Sequence, residues 1–120
     1  MKKINLTFEV PREILLNANV SYHRFVKGDR AKKLRALASK TNVNETFNKF
    51  KVTVEVFPPT RRRLDPPNLY PTVKHLIDGL TDAKLWIDDD WKHMESMTFK
   101  YGGLSEIKNT FLIKFHIEEI

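Results

Sequence analysis

The segment FKVTVEVFPPTRRRLDPPNLYPTVKHLIDGL, residues 50–80, decides the fold class because a strand pattern is followed by a loop and a helix pattern. Apolar and polar residues alternate over 50–57, which is the period of a strand with one buried face. Pro58 and Pro59 end this pattern. Residues 71–83 carry apolar side chains at the i, i+3, i+4, i+7 spacing of an amphipathic helix. The segment therefore predicts a strand, a connecting loop and a helix packed back on the strand.

The flanking sequence predicts four further elements by the same criteria. They are a strand over 4–10, a helix from residue 29 or 30 until Asn42, a strand over 92–100 and a strand over 111–117. Residues 15–30 are polar and irregular, so we predict a long loop there. The resulting order β-α-β-α-β-β predicts an α+β (two-layer α/β) fold: one domain over residues 1–120, with helices packed on a mixed sheet.

The composition limits the classes of function that the chain can have. It has 120 residues and a net charge of +6, which favours a polyanionic partner, with a basic surface kept for solubility as the alternative. Cysteine is absent, which excludes disulfides, thiolate metal sites and cysteine nucleophiles. The chain has neither a signal-peptide pattern nor an apolar run of membrane-spanning length. We expect a cytoplasmic protein with no membrane partner.

Three consecutive arginines, Arg61, Arg62 and Arg63, follow the predicted strand 50–57. Guanidinium groups present rigid forks of donors that match phosphate oxygens, and three adjacent arginines cannot all enter a core. A solvated charge run is the alternative. Because loops that follow a buried strand often carry binding sites, we favour contact with a nucleic-acid backbone.

Acidic residues occur in two places beside these cations, at Asp65 and at Asp88, Asp89 and Asp90. Carboxylate oxygens are hard ligands that suit Mg²⁺, and a bound Mg²⁺ can polarise a phosphodiester. A lysine between the two clusters, Lys74, could neutralise charge on a transition state. The simpler alternatives are a turn role for Asp65, a solvated turn at 88–90, and an ion pair between Lys74 and a helix neighbour, Asp78.

Trp86 and Trp91 flank the second acidic cluster. We predict that both pack in the core, with stacking on nucleic-acid bases as the alternative.

Four sequence motifs together resemble the RusA family of Holliday-junction resolvases, which are small homodimeric metal-dependent endonucleases of bacteria and prophages. The motifs are RRRLDPPNL (61–69), K-x-x-x-D-x-L (74–80), LWIDD (85–89) and KYGG (100–103). The resemblance extends over most of the chain and implies a RusA-like fold. The function that it implies is resolution of four-way DNA junctions in recombination and repair, by Mg²⁺-dependent hydrolysis with paired symmetric nicks.

The resemblance also implies roles for individual residues. By this resemblance the catalytic set falls on Asp65, Lys74 and Asp89, with Asp88 beside Asp89. We predict Asp65, Asp88, Asp89 and Asp90 as the metal ligands, with Mg²⁺ as the ion and Mn²⁺ as an alternative. Predicted DNA contacts are Arg61, Arg62, Arg63, Asn68, Arg24, Lys27, Arg30, Lys32 and Lys33.

The chain departs from the family pattern at Pro67, where a second loop acid is expected. An alternative function is therefore a branched-DNA-binding protein with impaired catalysis. A third is a basic protein-interaction module with no role on DNA.

Overall fold

One four-stranded mixed sheet, in the order β1-β4-β2-β3, forms one layer of the protein in a computed structural model that describes residues 2–120. The elements are β1 (Lys3–Pro11), α1 (Arg24–Ser39), β2 (Phe50–Phe57), α2 (Tyr70–Asp82), β3 (Met94–Tyr101) and β4 (Thr110–Glu119). Two 3₁₀ turns, Arg12–Ile14 and Pro66–Leu69, follow β1 and precede α2. This order confirms the predicted α+β fold with helices on a mixed sheet.

The sheet is arranged around β4, which pairs antiparallel with β1 on one side and with β2 on the other. β2 pairs parallel with β3, so the chain must cross over between them, and α2 lies in that crossover. Leu6, Phe115, Val54 and Phe99 are aligned in one row across the four strands. Val54 and Phe115 are fully buried, which places this row on the core face of the sheet.

The two helices pack closely against each other in the second layer. A Cβ atom added to Gly79 of α2 would lie 2.3 Å from the carbonyl oxygen of Arg35 in α1, so only glycine fits at this crossing. At the same crossing the Arg35 guanidinium donates two hydrogen bonds to Asp82, at 2.6 and 2.9 Å. The apolar stripe predicted for 71–83 is buried, as expected. None of the helices in residues 2–120 is long and apolar enough to cross a bilayer.

The prediction of a loop over 15–30 was wrong for its last part, because α1 begins at Arg24. The side chain of His23 caps the helix by accepting a hydrogen bond from the Phe25 backbone N–H at 3.2 Å. Phe25 and Val26 in the first turn are exposed, at 70% and 42%. The first turn of α1 therefore adds no residue to the buried apolar stripe of the helix. For this reason the spacing of apolar residues in the sequence does not reveal the turn.

Candidate active site

The β2-α2-β3 crossover positions the predicted site residues, because both acidic segments lie in its connecting loops. The loop 83–93, which joins α2 to β3, is attached at both ends to the segment 47–50, which leads into β2. The Phe47 N–H donates to the Leu85 carbonyl at 2.6 Å, and the Phe50 N–H donates to the His93 carbonyl at 2.8 Å. The aspartates 88–90 lie between these two attachments, so the loop that carries them is fixed relative to the sheet.

Trp86 strengthens this attachment, as the prediction of a core role for it required. Its ring is 2% exposed and stacks on Phe50 with centroids 4.2 Å apart. Its indole N–H donates to the Thr81 hydroxyl at 2.7 Å. The same prediction was wrong for Trp91, whose side chain is 81% exposed. Trp91 comes directly after the acidic cluster, where the loop faces solvent.

Lys74 connects α2 to this loop. Its Nζ atom donates to Asp78 Oδ1 at 2.6 Å, one helical turn further along α2, and to Asp89 Oδ2 at 3.1 Å. The helix ion pair considered from the sequence is therefore present, and a second contact spans fifteen residues. The side chains of both aspartates are about three-quarters buried, and that of Lys74 is somewhat more than half buried. The structure thus brings together two of the three predicted catalytic residues, Lys74 and Asp89.

The charges in this cluster stabilise one another. Burial acts to lower the pKa of Lys74, but its hydrogen bonds to Asp78 and Asp89 outweigh burial and raise the pKa above the ordinary value. Burial acts to raise the pKa of Asp89, and the hydrogen bond and charge of Lys74 outweigh it, so this pKa lies below the ordinary value. Lys74 and Asp89 are consequently both charged at neutral pH.

Asp88 and Asp90 have different partners from Asp89. Asp88 is exposed, and its carboxylate accepts a hydrogen bond from the Asp89 backbone N–H at 2.8 Å. The Asp90 carboxylate lies 2.7 Å from the His93 ring and accepts from the Lys92 N–H at 3.2 Å. The hydrogen bond with His93 lowers the pKa of Asp90. Asp90 therefore stabilises the turn into β3, and of the three consecutive aspartates it is Asp89 that contacts Lys74.

Asp65 lies at the entry to the 3₁₀ turn Pro66–Leu69. Its backbone carbonyl accepts from the Asn68 N–H at 2.9 Å, which is the turn role considered from the sequence. Its carboxylate is 60% exposed and has an ionic neighbour in Arg63, at 4.0 Å. Pro67 is exposed within the same turn and offers no ligand atom beyond its carbonyl, which accepts from the Tyr70 N–H.

The predicted metal ligands do not form one compact group. Within residues 2–120, no set of three or more His, Asp or Glu side chains is arranged to hold a metal ion. Mg²⁺ nevertheless often uses only one or two carboxylates, with water and substrate phosphate completing its shell. Asp78 and Asp89 are such a pair, since both contact the same Lys74 nitrogen. Sequence reasoning missed Asp78 as a candidate ligand because its spacing from Lys74 also fits a plain ion pair.

The predicted DNA contacts divide into exposed and structurally engaged residues. Arg61, Arg62 and Arg63 are all exposed, as are Arg24, Lys27 and Lys32. Lys33 pairs with Asp29 at 3.0 Å on the surface of α1. Arg30 is partly buried, donates to the Leu15 carbonyl at 2.8 Å and lies over the Tyr22 ring. The backbone carbonyl of Asn68 accepts from the Ala18 N–H at 2.8 Å. The Arg30 side chain therefore has a role in the fold itself, and Asn68 contributes to the fold through its backbone.

No protein-family model matches this chain. A search of curated proteins gives no significant match. Membership of the RusA family therefore rests on the sequence motifs and remains a proposal.

Proposed function

We propose that this chain is a structure-selective endodeoxyribonuclease of the RusA type, which resolves Holliday junctions by Mg²⁺-dependent phosphodiester hydrolysis in recombination and repair. The observation that carries the proposal is the contact between Lys74 of α2 and Asp89 of the loop 83–93, at 3.1 Å. These are two of the three residues to which the resemblance gives a catalytic role.

A lysine held between two carboxylates suits the stabilisation of developing negative charge. Its hydrogen bonds to Asp78 and Asp89 keep the ammonium charged and fixed in direction. A fixed cation needs little reorganisation when negative charge develops on phosphate oxygens in the transition state. More than a third of the Lys74 side chain is exposed, so a phosphate can approach it.

Asp89, together with Asp78 or Asp65, would hold the Mg²⁺, which when bound supplies Lewis-acid polarisation of the phosphodiester and an activated water. The Asp65 carboxylate is 60% exposed, so it is open to a metal ion that enters with the substrate. Asp88 orients Asp89 through the hydrogen bond that it accepts from the Asp89 N–H.

The arginines 61–63 would hold the DNA backbone beside these acids. All three are exposed on the loop that leads into Asp65. Acidic residues alone repel DNA, and adjacent guanidinium groups offset that repulsion by binding phosphate oxygens. Two symmetric nicks in a four-way junction also require two sites, which a homodimer with two-fold symmetry would provide.

The direct test is incubation of the purified protein with a synthetic four-way junction in Mg²⁺ or Mn²⁺. We expect paired symmetric nicks in the junction and none in a linear duplex of the same sequence. Asp89→Asn should lower the nicking rate at least about 100-fold, the usual loss when one electrostatic element of an active site is removed. Glu45→Gln removes the same charge at an exposed loop position and should leave the rate unchanged. Equal rates for the two variants, or no nicking by the wild type in either metal, would refute the catalytic assignment.

A second candidate function is junction binding without cleavage. It is favoured by Pro67, which stands where the family pattern has an acid, and by the lack of a three-ligand group within residues 2–120. This function predicts junction affinity that falls steeply with salt and no product in any divalent metal.

A further inference from the structure

A groove of about 600 Å³ opens at the end of the sheet where β2 finishes, separate from the Lys74 cluster. It lies between the 3₁₀ turn Arg12–Ile14, the segment 15–22, α1 and the loop 58–64. We call it the arginine groove, and its defining residues are Arg12, Arg30, Arg62, Arg63, Tyr22 and Phe111.

The charge of the arginine groove is strongly positive. Four arginines line it and Glu13 is the one acid among its lining residues. Arg12, Arg62 and Arg63 are exposed, so their guanidinium groups can reach a ligand. Arg12 was not among the DNA contacts predicted from the sequence, because it is isolated from the other arginines along the chain.

The walls of the groove are apolar and aromatic as well as basic. Arg12 lies over the Phe111 ring at 5.9 Å, and Arg30 lies over the Tyr22 ring at 5.0 Å. The Tyr22 hydroxyl accepts a hydrogen bond from the Asn17 N–H at 3.1 Å, which fixes the ring. Leu64 adds an aliphatic wall beside these rings.

We propose that the arginine groove binds one unpaired nucleotide of a DNA strand, with its phosphate on the arginines and its base against Tyr22 and Leu64. This inference rests on the proposed function for the identity of the polymer as DNA. A phosphate ion alone would make no contact with the apolar walls, whereas a base would. The volume of the groove is in the range of small-molecule sites, and a DNA duplex is too large to enter it. Bases stack favourably on aromatic rings, and arginine adds a cation–π contribution.

The position of the groove fits a strand that continues toward the proposed active site. Arg62 and Arg63 line the groove and come directly before Leu64 and Asp65 in the chain. Base pairs at the centre of a junction lack the continuous stacking of a linear duplex, so we expect extrusion of a nucleotide there to cost less than extrusion from a linear duplex. A nucleotide in the groove would thus distinguish a branched substrate from a linear one.

The test measures binding by fluorescence anisotropy in the absence of divalent metal, so that no cleavage intervenes. The probes are a labelled oligothymidylate of about eight nucleotides, in the usual range for single-strand sites, and an abasic strand of the same length. Loss of the bases should weaken binding at least about fivefold. Arg12→Ala should weaken oligothymidylate binding about fivefold near 0.1 M salt and lower the salt slope by about 0.7, the value for one phosphate contact on a single strand.

The matched control is Lys49→Ala, which removes one positive charge at an exposed position just before β2, at the opposite end of that strand. It should change affinity less than about twofold. Arg62→Ala, at an exposed loop position, is a second groove variant if Arg12→Ala fails to fold. Equal affinity for the abasic strand, or equal effects of Lys49→Ala and the groove variants, would overturn the inference.

The two proposals can fail separately. If the protein nicks junctions but its strand binding depends neither on Arg12 nor on the bases, the proposed function is supported and the nucleotide site in the groove is contradicted. If strand binding depends on the bases but no junction is nicked, the nucleotide site is supported and the proposed function is contradicted.

Discussion

Replacement of Lys74 by methionine tests the cluster on which the proposed active site depends. Methionine keeps an unbranched chain but removes the ammonium group that contacts Asp78 and Asp89. A hydrogen bond to a charged group is worth about 1.5–3 kcal/mol. The Lys74 side chain is 41% exposed, so solvent screening lowers each contact to about 0.5–1 kcal/mol. We therefore expect Lys74→Met to lower the free energy of unfolding by about 1–2 kcal/mol at neutral pH.

The effect should depend on pH at both ends of the scale. The pKa of Asp89 is depressed in the folded protein, so its stabilisation is fully present above the unfolded value of about 4 and is lost as pH falls through the folded value. The pKa of Lys74 is raised, so its stabilisation is fully present below about 10.4 and is lost as pH rises through the folded value. The destabilisation by Lys74→Met should therefore be constant between about pH 5 and pH 10 and shrink outside that window.

Urea unfolding followed by tryptophan fluorescence is a suitable assay, because Trp86 is buried against Phe50 and is exposed on unfolding. Lys49→Met serves as the control, since Lys49 is an exposed lysine just before β2. Equal stability of the two variants at neutral pH would contradict the predicted contribution of the Lys74 contacts. A difference in stability that persisted undiminished at about pH 2, below the ordinary range for carboxylates, would contradict it as well.

Three further substitutions test the helix crossing, the extent of α1 and a buried hydrogen bond of α2. Gly79→Ala should destabilise the protein by at least about 2 kcal/mol in thermal or urea unfolding, because its Cβ would lie 2.3 Å from the Arg35 carbonyl. Gly28→Ala, with no atom within 4 Å of the new Cβ, should instead stabilise α1 by about 0.5–1 kcal/mol, and destabilisation there would contradict the helix boundary. Thr72→Val should cost about 1–3 kcal/mol in urea unfolding, since the Thr72 hydroxyl donates to the Leu16 carbonyl at 2.7 Å and accepts from its N–H at 2.8 Å. Wild-type stability of Thr72→Val would contradict the predicted contribution of these two hydrogen bonds.

The element order was predictable because local patterns and tertiary packing agree. The alternation over 50–57 and the helical stripe over 71–83 coincide with the buried faces of β2 and α2. The first turn of α1 was not predictable by burial, because Phe25 and Val26 face solvent and the turn is defined by the His23 cap. Patterns of apolar spacing detect only the parts of a helix that enter the core.

One contact of the candidate site was predictable from the sequence, but the geometry of the site was not. The i,i+4 spacing of Lys74 and Asp78 indicated their contact from the sequence alone. The contact with Asp89 depends on how the loop 83–93 folds back, and that is set by backbone hydrogen bonds to Phe47 and Phe50 and by the burial of Trp86. These are long-range contacts that no local pattern encodes. Trp91 is a second example, since its residue type favoured the core but the fold of the loop leaves its side chain exposed to solvent.

The most direct test of the central claim compares junction nicking and junction binding for wild type and Lys74→Met under conditions where both are folded. If Lys74 stabilises charge in the transition state, the variant should nick at least about 100-fold more slowly in Mg²⁺. It should still bind the junction within about threefold of wild type, because Asp78 and Asp89 already pair with the Lys74 ammonium and leave it little net charge for phosphate binding. Equal nicking rates for the two proteins would contradict the account, and so would a loss of nicking that is fully explained by a loss of binding.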